Sequence, residues 1–301
     1  MAILSFCVLA SAAIADAKPT VVVTIKPLAM LVQGVVGEEL TVRQIMPGNL
    51  SPHDYALKFS DVRAINGAAL VVWVGPELES AFTKPLAGAR EDVLTLSNLP
   101  SISWPSVSPL DEAQDAHGAG QDHHNHQEHA RDPHLWLNPM NAQRAARAVA
   151  ERLSALFPAK EQLFKANLRR FAGEIEAFDT RTRLALKPLS KKGFVVTHDG
   201  YGHFVQHYGL QQLASTQVVA GRQQGARHAA EMLALGNKVQ CVFTEAQLNN
   251  KAALQLAGKL GVEAIQLDPM GHDIPLSDSS YLIFMENLVT AFTRGLSGSS
   301  P

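Results

Sequence analysis

The sequence predicts an α/β protein of two lobes, each a mainly parallel sheet flanked by helices, joined by one long backbone helix. Three observations carry this. Short β-branched runs alternate with helical patterns early in the chain and again after residue 193, as βαβ units of parallel sheets do. Residues 159–187 contain no proline and keep one unbroken helical pattern. The alternation is interrupted over 97–131, where Ser, Pro, Gly, Ala, His and acidic residues replace hydrophobic periodicity, which marks a long mobile loop.

The elements follow in order. The first 17 residues are apolar and end in Ala15-Asp16-Ala17, fitting a secretory signal cleaved after Ala17. No Lys or Arg precedes Lys18, so a buried N-terminal strand or helix stays open. Strands are expected at 21–25, 40–46, 70–74 and 93–96, with a helix started at Ser60-Asp61 and stopped at Asn66-Gly67. Residues 135–137 are strand-like, and Asn138-Pro139 opens a helix running to Phe157. In the long helix Phe164, Leu168, Phe171, Ile175 and Phe178 recur at steps of four and three and share one face. Strands at 194–197, 239–245 and 262–267 and helices at 226–235, 251–260 and 279–294 complete the chain, with Gly236 and Gly261 as helix stops. This divides it into a signal peptide (1–17), an N-terminal lobe (18–157) holding the loop 97–131, a linking helix (158–188) and a C-terminal lobe (189–301), with a ligand cleft between the lobes.

Composition limits the chemistry. With 26 Lys+Arg against 28 Asp+Glu and a net charge of -2, no field is available to hold nucleic acid or an anionic membrane. No stretch after the leader approaches the length of a membrane span. The two cysteines, Cys7 and Cys241, build neither a disulfide framework nor a cysteine zinc site, and a Cys241 left alone in an oxidising compartment must be buried. Histidine is in surplus: five of 12 (His117, His123, His124, His126, His129) crowd into the loop, beside Asp115, Asp122 and Glu128.

Ligands of open α/β sheets bind beyond the carboxyl ends of strands. His53 follows the second strand, His198 the strand 194–197 and Asp268 the strand 262–267, while His134 stands beside the turn at Pro133. Three imidazoles and a carboxylate can satisfy Zn2+ without cysteine. Each residue alone reads equally as a cap, core or turn residue, but two come from each half, as a cleft site requires. Glu245, ending the strand 239–245, reads either as a carboxylate orienting a ligand histidine or as a helix N-terminal acid. Asp54 and Asp199 read as turn or cap acceptors. His203, His207, His228 and His272 read as surface residues, His203 near enough to His198 to line the cleft.

The phrases SPHDYALKFSD, LVVWVGPELE, DPHLWLNP, VVTHDGYGHF, CVFTEAQ and LDPMG resemble the metal-binding proteins of ABC-type zinc and manganese importers, most closely the periplasmic zinc-binding proteins. The similarity covers nearly the whole chain after the leader. It implies two lobes about one rigid helix, metal between them at His53, His134, His198 and Asp268, and a monomer that delivers zinc to an ABC transporter permease. His198 stands where manganese and iron members tend to carry a carboxylate, and nitrogen there suits zinc. Pro52 replaces an acidic residue found in some zinc members, leaving Asp268 or water as fourth ligand. Relatives often pair the cysteine of the CVF phrase with a second one near the C-terminus; this chain has none after Cys241. The histidine-rich insertion also fits zinc members, as a low-affinity collector or as a solvated linker. Alternatives are a manganese or iron homologue, an adhesin on the same scaffold, or a zinc hydrolase; against the last there is no HExxH helix and no Gly-rich phosphate loop.

Overall fold

The computed structural model describes residues 18–87, 92–106, 131–217 and 225–298. Residues 1–17, expected to be a secretory signal, lie outside them. Two all-parallel four-stranded sheets form the scaffold. The first has strand order β2-β1-β3-β4, built from β1 (Thr20–Val23), β2 (Thr41–Gln44), β3 (Leu70–Trp73) and β4 (Val93–Thr95). The second has order β6-β5-β7-β8, built from β5 (Gly193–His198), β6 (Gln211–Gln217), β7 (Val239–Glu245) and β8 (Glu263–Leu267). The central strands read as continuous apolar runs, VVV in β1 and FVV in β5, because helices cover both faces of a parallel sheet.

Helices α1 (Lys26–Val36), α2 (Phe59–Gly67), α3 (Thr83–Leu86) and α4 (Pro139–Leu156) belong to the first half; α5 is the long helix, Glu161–Leu186. The second half carries α6 (Gly202–Tyr208), α7 (Ala226–Ala234), α8 (Lys251–Leu260) and α9 (Ser280–Ser297). Asn138 caps α4, its side chain accepting from the Met140 and Asn141 amides, and Pro139 takes the first turn, where no amide hydrogen is needed. At 26 residues α5 spans roughly 40 Å. Phe164, Phe171, Ile175 and Phe178 are buried on one face of it, with Leu168 packed beside them. Gly34 of α1 lets the Phe171 ring close in, since a Cβ there would lie 2.9 Å from Phe171 Cδ2.

One apolar core runs continuously through both halves. Trp136 bolts them together: its ring nitrogen donates to Pro269 O at 2.9 Å, and its own carbonyl accepts the Tyr281 hydroxyl at 2.8 Å. Residues 135–137 therefore depart from the strand their apolar character suggests. They form a single 3-10 turn closed locally by Leu137 N to His134 O, buried because it inserts between the halves. The segment expected to be loop from residue 97 is also packed at its start. Leu96–Asn98 is a 3-10 turn, Ile102 is buried, and Ser103 N donates to Asn141. The five clustered histidines, His117, His123, His124, His126 and His129, lie outside the described residues.

Cys241 is fully buried and its thiol is pushed up to about 12 by burial, which keeps it inert. Across from it, α9 approaches through Gly295, where a Cβ would sit 2.8 Å from both Cys241 Sγ and Phe243 Cζ. Alanine gains about 1 kcal/mol of helix propensity, but the neighbours are core atoms that cannot swing aside. Gly295→Ala is therefore expected to destabilise the fold by a net 1–3 kcal/mol or so, read as a lowered melting temperature in calorimetry.

Candidate metal centre

The sheet topology points the carboxyl ends of β2, β5, β7 and β8 toward one cleft. His53 lies in a 3-10 turn, Pro52–Asp54, on the connection after β2. Two residues on, the buried Tyr55 hydroxyl donates to Asp61 of α2 at 2.8 Å and anchors the turn. His198 is the last residue of β5, Glu245 the last of β7. His134 precedes the turn of Trp136 and packs its ring edge against that indole, centroids 5.3 Å apart.

These placements bring His53, His134 and His198 together. Each offers a ring nitrogen within 4.8 Å of the other two, and the ring centroids stand 5.0 to 5.6 Å apart. Nitrogens around a tetrahedral zinc sit about 3.3–3.4 Å apart for Zn–N bonds of about 2.0–2.1 Å, so a modest inward shift completes three-point coordination. His53 Nε2 is buried with no hydrogen-bond partner among the described residues, a state that calls for an explanation in a native site. Burial, with the neighbouring His134 and His198, lowers the His53 pKa to about 3. The ring is neutral at physiological pH, as a metal donor must be.

Each of the other two rings has a carboxylate beside it, hydrogen-bonded for His134 and at ion-pair distance for His198. Asp132 Oδ1 accepts from His134 Nδ1 at 2.7 Å and from the His134 amide at 3.0 Å, which turns the Nε2 lone pair toward the cluster. Burial opposes ionisation of Asp132, but the bond and charge of His134 outweigh it and hold the carboxyl well below the usual range. Glu245 Oε1 stands 3.6 Å from His198 Nδ1, and Gln247 donates to its other oxygen at 2.7 Å. For His198 burial opposes protonation, but Glu245, then Asp132 and Asp199, raise its pKa above the ordinary value. Gly200 makes room: a Cβ there would lie 2.7 Å from His198 Cε1 and 2.9 Å from His134 Cε1.

Asp268 differs from expectation. It is not part of the three-histidine group; its Oδ1 accepts the Met270 and Gly271 amides and its Oδ2 the His272 amide, at 2.7 to 3.0 Å. A carboxylate before Pro269 closes its own turn, and Gly271 at φ 63° allows the chain to wrap it. Two other histidines are not the surface residues they resemble. His203 is buried between Asn141 and the Asp132 carbonyl, and His207 pairs with Asp179 at 2.7 Å on α5. His228 is half-buried, bonded to Ser215 O at 2.8 Å, and His272 is exposed. Asp199 accepts from Gln212 of the neighbouring strand β6 at 2.6 Å, a contact across the sheet and not a turn or cap bond. Sequence reasoning gave no role to Asp132, Gly200 or Gly202, and placed His203 only as lining the cleft. The signals were that the phrase HDGYGH carries two glycines and a second histidine, and that Asp132 stands two residues before His134 in DPHLWLNP.

A family model described as zinc-uptake complex component A, periplasmic (ZnuA) matches residues 21–295. The high-affinity zinc uptake system protein ZnuA of Yersinia pestis is 35% identical over 295 residues, covering 93% of this chain and 92% of that protein. A crystal structure of ZnuA superposes with a TM-score of 0.76 at 23% identity, covering 94% of this chain and 100% of that one. The periplasmic zinc binding protein TroA of Treponema pallidum gives 0.78 at 20% identity, covering 93% and 99%. The two structural matches speak to the fold alone.

Proposed function

The chain belongs to the family of the periplasmic zinc-uptake component, ZnuA, and from that premise we propose that it captures Zn2+ at His53, His134 and His198 and delivers it to the membrane permease of an ABC transporter. The observation that carries the ligand assignment is the buried, unpartnered Nε2 of His53 in a ring grouped with two other imidazoles. Three neutral nitrogen donors suit zinc, and water or Asp268, whose oxygens also accept three amides of its own turn, takes the fourth position. Manganese or iron as cargo is not favoured, since both prefer more oxygen than this donor set offers. The protein acts as a carrier and not an enzyme: zinc enters and leaves unchanged. We read residues 1–17 as the export signal, 18–157 and 189–301 as the lobes and 158–188 as the helix between them. We read His117, His123, His124, His126 and His129, which lie outside the described residues, as a low-affinity zinc collector.

The assignment is tested by pH. Zinc requires neutral rings, and His198, with its pKa raised by Glu245, takes a proton before His53, whose pKa is lowered to about 3. Affinity is therefore expected to be full above neutrality and to fall by at least tenfold or so per pH unit once His198 titrates. Chelator competition between pH 7.5 and 5 measures this. A flat profile contradicts histidine ligation, and a slope of three protons per zinc contradicts a neutral His53.

A further inference from the structure

We propose that His203 and Gly202 of the C-terminal half are positioning residues for the zinc ligand His134 of the N-terminal half, acting through Asp132. The inference rests on His134 being a ligand. Asp132 fixes that ring by accepting from its Nδ1, so whatever fixes Asp132 sets the direction of the Nε2 lone pair. Two features of the opposite half do so. His203 Nε2 donates to the Asp132 backbone carbonyl at 2.9 Å. Gly202 removes an obstacle, since a Cβ there would lie 2.8 Å from Asp132 Oδ2.

The proton on His203 is placed by its other neighbour. Asn141 Oδ1 accepts from Ser103 N and from Arg144 Nη1, both at 2.9 Å, and its Nδ2 donates to Ser103 O at 2.8 Å. Those partners settle the amide orientation, so Nδ2 also donates to His203 Nδ1 at 3.2 Å. An Nδ1 that accepts leaves Nε2 as the donor. Trp104 closes over the ring with centroids 5.6 Å apart. The chain Asn141, His203, Asp132, His134 thus passes from one half to the other and back, ending at the metal. Removing an outer partner of a ligand histidine lowers metal affinity about 10–100-fold.

The test is a double-mutant cycle on the full chain, reading Zn2+ affinity by chelator competition at pH 7.5 and the His134 ring tautomer by long-range proton–nitrogen correlation. His203→Phe keeps a ring under Trp104 but loses the donor. It should weaken zinc binding about tenfold or more and mix the two His134 tautomers. His203→Gln, whose amide nitrogen reaches the same carbonyl, should restore most of both. On an Asp132→Ala background His203→Phe should cost nothing further. An equal loss on both backgrounds, or a His203→Gln as weak as the phenylalanine, overturns the proposal. Should His203→Phe not fold, Gly202→Ala carries the same comparison, with the same two results expected and the same equality overturning it. His134→Ala run alongside keeps the premise separate: unchanged affinity there refutes the ligand assignment itself.

Discussion

Replacing His53 by alanine is expected to lower zinc affinity by about two to three orders of magnitude while leaving the fold as stable as before or more so. A zinc site is worth roughly 10–16 kcal/mol shared over about four ligands, and 1.4 kcal/mol is tenfold. The stability half follows from the geometry. His53 Nε2 is buried without a partner among the described residues, and deleting an unsatisfied polar atom relieves a desolvation penalty of about 1–3 kcal/mol. The turn keeps its anchor through Tyr55 and Asp61. The contrast with His198→Ala is informative, because that change strands the buried Glu245 carboxylate and should weaken both binding and folding. Isothermal calorimetry with zinc, and melting of the zinc-free protein, separate the two. A His53→Ala protein that binds zinc normally would remove the residue from the centre. His228→Ala, which removes a ring bonded to Ser215 O at 2.8 Å and outside the three-histidine group, should leave affinity unchanged.

Gly200→Ala is expected to damage the centre without replacing any of its three histidines. The added Cβ would come within 2.9 Å of two ligand rings, at His198 Cε1 and His134 Cε1, closer than such contacts tolerate. Both rings must move, and side chains that bind a metal directly tolerate a displacement of only about 0.5 Å. Affinity should fall about tenfold or more. Stability should hold, because the rings line a pocket and alanine at an ordinary φ restricts the unfolded chain, contributing about 0.4–1 kcal/mol. Loss of zinc affinity with an unchanged melting temperature is the expected pair of results; unchanged affinity would mean that the rings are not held against this glycine.

Much of this architecture was legible in the sequence, for reasons that name themselves. Residues 239–245 and 251–260 matched their elements end to end because β-branched residues and a terminal Gly261 mark them sharply. The face of Phe164, Phe171, Ile175 and Phe178 was readable because tertiary packing agrees with helical period there. β6, QQLASTQ, was missed: it is a polar edge strand, paired on one side only, so burial imposes little pattern on it. Residues 135–137 misled because burial between two halves looks the same in composition as burial in a sheet. At the site, His53, His134 and His198 were found by their positions at strand ends and turns. Asp268 had the same position, and the structure adds that its oxygens accept three amides of its own turn. Asp132 and His203 act through tautomers and backbone carbonyls, which no spacing rule encodes.

The central claim is that zinc is held by three histidines drawn from both halves of the chain, and anomalous diffraction at the zinc edge tests it most directly. With one equivalent of Zn2+ added to the full chain, the account predicts one anomalous peak about 2.0–2.1 Å from a ring nitrogen of each of His53, His134 and His198. A first-equivalent peak among His117, His123, His124, His126 and His129, or one at the cleft ligated by fewer than those three rings, would contradict it.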